Sequence, residues 1–523
     1  MPVRHPATPR LVFAALAALI ISGMACARSD VPVTAGIGGG GLEPLASATQ
    51  VPPEPSTLPA TDAPTSVPAT STPLAPPASP TVPPTPTLGF SGTAEPIVYE
   101  AQAGDTLPAL AARFGVVPED ITSSGPLPQN GTMIDPGQLL FIPRRLAATG
   151  PGDRLVPDSE VVFSPHAVDF DATAFVAQQG GYLADYRETV GGRLRTGPEV
   201  LAQVARDNSV NPRLLLALLE YQAGWVTEPG RPTGNALRYP MGKVDPEFPG
   251  LFRQLTWVAD ELGNGYYGWR AGNLVEIHFD DDTRTRLAPE LNAGTVALQY
   301  YFAVKNGPLA WAQALAPDGF IATYQDFFGD PWEYFHPLFE PGVVQPPLDL
   351  PFLPGHTWSF TGGPHGAWEF ESAWAALDFA PATAQVGCDP SEDWAVASAP
   401  GLVLRSGGGV VVLDLDGDGR EQTGWVLVYL HVANLGRVGA GEFIEAGDLL
   451  GHPSCEGGLA TGTHLHIARK YNGEWILADG PLPFELSGWV AHGGTRAYEG
   501  YLTRGDAVVI ASPFGTLQTQ ITR

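Results

Sequence analysis

Five side chains in the last third of the sequence have the types and spacing of a hydrolytic metal site. Thr463-His464-Leu465-His466-Ile467 reads as a strand. Alternate residues of a strand face the same side, so His464 and His466 project together while Leu465 packs behind them. Trp425 to His431 reads as a second strand, with Trp425, Leu427, Tyr429 and His431 on one face and His431 at its end, where a cleft would open. His365 follows Gly362-Gly363-Pro364 in an expected loop, and Asp378 lies in an expected strand from Ala373 to Ala380. A zinc hydrolase needs three N or O ligands and a water whose pKa falls to about 7 on the metal. His365, Asp378 and one of the paired histidines could supply those ligands. A His-x-His pair alone is equally explained by polar residues sharing a strand face; the full set is not.

These residues need a β scaffold. From about Leu348 the chain runs in short alternating segments separated by Gly, Asn and Asp, which predicts an antiparallel all-β domain over 348–523. Together with the five residues, the stretch from Leu348 to Phe484 resembles the lysostaphin/LytM-type M23 zinc metallopeptidases. That resemblance implies Zn2+ held by His365, Asp378 and His466, with His431 and His464 as non-ligand histidines that assist water activation and stabilise the oxyanion. It also implies a substrate among the peptide stems or cross-bridges of peptidoglycan. One departure stands out. The family's first motif is His-x-x-x-Asp, whereas twelve residues separate His365 from Asp378. His356 is the nearby substitute if His365 is displaced, but a loop bulging outward after the Gly-Pro turn would keep His365 in place.

Asp414, Asp416 and Asp418-Gly419 resemble the start of a calcium loop, yet the twelfth position is Trp425, which excludes a complete EF-hand and leaves an acidic hairpin tip. His166, His278, His336, His452 and His492 are isolated in the sequence and call for ordinary surface or core roles.

Upstream, 523 residues predict about three units, a multidomain chain. Ile97 to Pro143 reads as strand, helix, second short helix from Pro118, and strand. Tyr99, Gly104-Asp105-Thr106-Leu107, Phe114-Gly115-Val116 and Pro136-Gly137-Gln138 resemble a LysM module over 97–145, a small α+β (βααβ) unit. The resemblance implies glycan binding around Gly104, Asp105, Thr106, Leu107 and Ile134. Residues 159–340 read as mainly α, with Val200, Leu201, Val204 and Ala205 as one apolar stripe and Asn211-Pro212 opening an apolar helix. Ala217 to Trp225 resembles the catalytic-glutamate helix of lytic transglycosylases and so implies a lysozyme-like fold. By register Gln222 stands at the acid position and cannot protonate a glycosidic oxygen. Glu220 sits about 200° round the helix from it. The expectation is a glycan-binding or spacer domain without hydrolysis, the alternative being Glu220 as a relocated acid.

Composition sets the location and excludes partners. Lys+Arg 28 against Asp+Glu 55 gives a net charge of −27, and lysine occurs only at Lys243, Lys305 and Lys470, so no basic stripe could track a nucleic acid. Arg4, His5 and Arg10 precede an apolar run from Leu11 to Met24, the pattern of an export signal over 1–25. Gly23-Met24-Ala25-Cys26 resembles a bacterial lipobox with Cys26 lipidated; cleavage after Ala27 is the competing reading. No later run is long enough to span a bilayer, so a lipid at Cys26 would be the one membrane contact. Residues 26–95 are Pro/Thr/Ser-rich and read as a disordered stalk. Cys388 and Cys455 then remain as a disulfide pair in an exported protein. The expected function is a wall-bound zinc endopeptidase at the outer face of the cytoplasmic membrane. The alternative is a non-catalytic LysM/M23-like lipoprotein that activates a separate amidase, whose hallmark would be lost zinc ligands.

Overall fold

The computed structural model describes residues 95–128, 131–368, 373–382 and 387–523. The export segment, Cys26 and the stalk up to Ala94 lie outside the described residues, which all fall in one compact unit, 86–523. No helix among the described residues is long and apolar enough to cross a membrane.

The first region is built on the helix Leu107–Phe114, capped at its start by the Thr106 side chain and ended by Gly115 in the left-handed conformation. Strand Leu139–Ile142 lies between Ile97–Glu100 and Thr122–Ser123 in a three-stranded antiparallel sheet. The expected second helix is instead one 3₁₀ turn, Pro118–Asp120, and the chain is extended again by Ile121. Gly125, Pro126 and Pro128 follow at once and prevent a helix from propagating. The βααβ expectation is corrected accordingly to strand, helix, 3₁₀ turn, strand, strand.

The middle region is helical, around Gly197–Asn208, Pro212–Ala223, Leu251–Arg270 and Ala293–Lys305. The apolar stripe of Val200, Leu201, Val204 and Ala205 is buried, as are all residues from Leu214 to Leu219. Thr196 and Glu199 form a reciprocal capping box, and the Asn211 side chain accepts from the Arg213 amide. Two short hairpins, Arg187–Val190 with Arg193–Thr196 and Glu276–His278 with Arg284–Arg286, interrupt the helices.

The last region is a nine-stranded antiparallel sheet. Its central strands run Gly401–Gly407, Val410–Asp414, Trp425–Leu430, Leu465–Tyr471, Ala376–Pro381 and Thr357–His365. Leu377, Phe379, Leu427, Tyr429, Leu465 and Ile467 point into a core that is the sheet's own. Val410, Val412, Val426, Val428 and Ala468, on the opposite face, share one core with the helical region. By strand alternation, Asp378 and His466 belong to that second face.

Buried polar contacts join the three regions. Arg270, at the end of Leu251–Arg270, pairs with Glu474 at 3.0 Å and Asp158 at 3.1 Å, and donates to the Ala103 carbonyl of the first region. Tyr266 donates to the same Glu474 at 2.7 Å. Arg113 pairs with Asp105 at 2.6 Å and donates to the Trp269 carbonyl at 2.9 Å. Removing one partner from such a cluster leaves a buried charge undercompensated, at a cost of about 3 kcal/mol. Glu474→Ala is expected to destabilise the full chain by that amount in urea unfolding, and a change within error would show that the cluster does not hold the regions together.

Candidate metal centre

His365 closes the strand Thr357–His365, rather than lying in a loop, and Asp378 stands on the neighbouring strand Ala376–Pro381, which begins three residues later than expected. Gly362 sits directly across from Asp378, and the register slips between Gly362 and His365. A side chain at Gly362 would collide with the Asp378 carboxylate, so glycine there makes room for the acid. The two strands are joined by residues 366–375. At the described ends of this segment Ala367, Ala373 and Ala375 are buried, and the middle of the expected outward bulge, 369–372, lies outside the described residues. Their methyl groups pack into the core shared with the helices, and the Ala367 carbonyl accepts from His466 Nε2 at 3.1 Å. His466 is paired with Asp378 on one side and Leu430 on the other. His431, one residue past the strand Trp425–Leu430, has φ 65°, a left-handed conformation rare outside glycine.

Three donor atoms converge. His365 Nε2 lies 3.1 Å from His466 Nδ1, and each lies 3.3 Å from Asp378 Oδ1. The carbonyls of Gly363 and Ala367 accept from His365 Nδ1 (2.8 Å) and His466 Nε2 (3.1 Å). A carbonyl can only accept, so in the neutral imidazoles the proton sits on those outer nitrogens and the inner ones present lone pairs. Asp378 Oδ1, buried, correspondingly has no hydrogen-bond partner. Donors held about 2.0–2.1 Å from a tetrahedral ion lie about 3.3 Å apart, which matches this triangle and fits Zn2+. His464 and His431 flank it. His464 Nδ1 donates to the Gly462 carbonyl at 2.7 Å, and its Nε2 lies 3.7 Å from Asp378 Oδ1. His431 Nδ1 donates to the Glu456 carbonyl at 3.0 Å, and its ring centre is 4.4 Å from that of His464.

Burial opposes the charge on Asp378, but the adjacent His365 and His464 hold its carboxyl well below the usual carboxylate range. Burial, reinforced by His464 and His466, pushes His431 down to about 3. Burial lowers His466 as well.

Tyr498 is a site neighbour that sequence reasoning missed. Its ring stacks on His365 at 4.1 Å, and its amide donates to the Pro364 carbonyl. Nothing in its local sequence marks it, because the contact spans the β extension. His356 pairs with Asp393 and is not among the grouped donors. Cys388 and Cys455 form the expected disulfide, across 67 positions. It sits beside both flanking histidines: Ser454 and Glu456 bond His431, while the Gly387 and Asp389 carbonyls accept from Thr463, next to His464.

The other expected sites fare differently. Gly104 and Thr106 line a cavity of about 330 Å³ with Tyr267, Arg270 and Trp475, whereas Asp105 and Ile134 are buried and Asp105 is taken up by Tyr99, Gln102 and Arg113. Leu107 opens the helix, packed against the first region's core. Lys305 donates to Gln222. Glu220 accepts from the Val226 and Thr227 amides at 2.9 and 3.1 Å and from the Thr227 hydroxyl, so it pins a loop and is not free to act as an acid. Asp414 accepts from the amides of Asp416, Gly417 and Gly419 at the hairpin tip. Two histidines expected to be isolated, His166 and His336, lie 5.1 Å apart, and His452 packs 3.9 Å from Trp394.

Residues 154–341 match the family described as LasA, N-terminal domain. That match covers the middle region. The chain is 29% identical over 312 residues to Protease LasA of Pseudomonas aeruginosa (strain UCBPP-PA14), covering 55% of this chain and 69% of the relative. Protease LasA of Pseudomonas aeruginosa strain PAO1 is 28% identical over 311 residues, with the same coverage. Among solved structures, the M23 metalloprotease pseudoalterin from the deep sea aligns with 22% identity over 32% of this chain and 96% of its own, at a TM-score of 0.27. The catalytic domain of lysostaphin from Staphylococcus simulans aligns with 20% identity over 24% of this chain and 89% of its own, at a TM-score of 0.17.

Two measurements check the site's physics. Both Asp378 and His431 have folded pKa values below their unfolded ones, so the unfolded chain binds more protons and stability rises with pH. For His431 the stabilisation is complete above 6.5 and is lost as pH falls towards about 3. The metal-free protein is expected to lose up to about 1.4 kcal/mol per pH unit through that window from this one group, and His431→Asn should flatten the slope; an unchanged slope would refute the assignment. Replacing both Cys388 and Cys455 by Ala should cost about 4 kcal/mol in denaturant unfolding on the chain-entropy account, and unaltered stability would refute it.

Proposed function

We propose that this chain is an exported zinc endopeptidase that hydrolyses peptide stems or cross-bridges of peptidoglycan. The observation that carries the reading is the triangle of His365, Asp378 and His466, whose three donor atoms lie 3.1–3.3 Å apart. Similarity to Protease LasA supports a peptidase. A divalent ion held by the three residues would polarise a scissile carbonyl and acidify an attacking water. The chain's own residues do the rest. With Nδ1 of His464 and His431 committed to carbonyls, their Nε2 atoms are the ones free to take the proton of the attacking water, stabilise oxyanion charge and return a proton to the leaving amine. The carbonyls behind His365 and His466 keep each ring turned with its lone pair inward. Tyr498 packs His365 against rotation.

Export accords with the disulfide, which persists outside the reducing cytoplasm. The lipid anchor at Cys26, the LysM-type hold on glycan through the 97–145 region and a non-hydrolytic middle domain belong to this same reading. The regulator alternative loses ground on the triad, since a degenerate site would lack one of the three donors.

His466→Ala is expected to lose stoichiometric zinc and to lower cleavage of purified wall by at least about 10³-fold while the fold persists by circular dichroism. Retention of both bound zinc and cleavage in that variant would sink the proposal. Mass spectrometry of the released fragments identifies the bond.

A further inference from the structure

A second site lies in the helical region, away from the five residues of the metal centre. A cleft of about 650 Å³ is lined by Tyr182, Asp185, Tyr186, Arg187, Arg231 and Arg238, with glycines and Leu237 completing its wall. Three of the chain's 28 basic residues gather here, in a protein whose net charge is −27. None of the three guanidinium groups takes part in an ion pair among the described residues, although Asp185 stands on the same rim. Arg187 uses one nitrogen, Nη1, on the carbonyls of Ala184 and Tyr186, at 2.8 and 2.7 Å, so its remaining donors stay available. Arg238 lies over the ring of Tyr239 at 5.4 Å. The tyrosines are held firmly: Tyr182 meets the buried Trp225 edge-on at 5.0 Å, and Tyr186 packs on the same indole at 5.0 Å.

Fixed aromatic rings beside unpaired guanidinium groups recognise a particular chemistry. A guanidinium presents a planar fork to the two oxygens of a carboxylate or phosphate, and an aromatic face covers the apolar side of a sugar ring. We propose that this cleft binds an acidic polysaccharide, with its oxyanions on Arg187, Arg231 and Arg238 and a sugar ring against Tyr182. The overall negative charge of the chain makes the site selective in a useful way. A polyanion is repelled from the surface at large, so binding requires this local reversal of sign. The site stands independently of the peptidase reading, because it shares no residue with the metal centre.

The test uses the full chain and calorimetric titration with three probes: polygalacturonate for carboxylates, a phosphomannan for phosphates, and dextran as the neutral control. Binding of at least one acidic polymer, with dextran silent, is expected, and the polymer that binds distinguishes carboxylate from phosphate as the recognised group. Arg231→Ser and Arg238→Ser together should weaken that binding about a hundredfold, about tenfold for each charge-assisted contact. Both side chains are exposed, so the fold should persist, and an unchanged thermal midpoint and unchanged zinc content confirm that it does. Failure of both acidic polymers to bind at about 1 mM, equal binding of dextran, or unaltered affinity in the double variant would overturn the proposal.

Discussion

The structure around the metal centre depends on where four imidazole protons go. Each of His365, His431, His464 and His466 gives one ring proton to a backbone carbonyl, of Gly363, Glu456, Gly462 and Ala367 respectively. That commitment leaves the other nitrogen of each ring electron-rich. Two of those nitrogens and a buried carboxylate oxygen then face one point with nothing to share between them. Lone pairs at such separations repel in a low-dielectric interior, so the arrangement is stable only with a cation, either a proton or a metal ion, among them. The imidazoles beside Asp378 hold its carboxyl below the usual carboxylate range, while burial depresses His431 and His466.

Holding that geometry requires rigid surroundings, and the sheet supplies them. Asp378 and His466 are cross-strand partners in mid-sheet, where the ladder fixes both backbones. The left-handed turn at His431 and the disulfide at Cys455 constrain the loops that bring in the remaining two histidines. The face carrying the donors also carries Val410, Val412, Val426, Val428 and Ala468, which are buried against the helical region. Helical region and sheet are therefore parts of one core. Arg270 and Glu474 lock this interface and draw the first region onto it, so the 97–145 segment is packed on the helices rather than held at a distance from them.

That packing also changes how the first region's groove is to be read. Of the five residues expected to touch glycan, Asp105 and Ile134 serve the region's own interior, while Gly104 and Thr106 open onto a cavity whose far wall is Tyr267, Arg270 and Trp475. Any ligand there meets side chains of all three regions.

Much of this was legible in the sequence because the relevant physics is local. Strand alternation placed His464 and His466 on one face, cap and apolar periodicity located Leu107–Phe114 and Pro212–Ala223, and an even cysteine count after Cys26 was set aside left Cys388 with Cys455. The 3₁₀ turn at Pro118 was misread as a helix because its first residues suit either, and only the glycine and prolines beyond decide. Tyr498 on His365, the carbonyls that orient each imidazole, the burial of Ala367, Ala373 and Ala375, the engagement of Glu220 and the gathering of three arginines at one cleft had no signal in the chain order. Residue types and short-range periodicity determined which groups could do chemistry. Which lone pairs meet, and which charges find partners, depended on contacts between residues tens to hundreds of positions apart, where distance along the chain carries no information about distance in space.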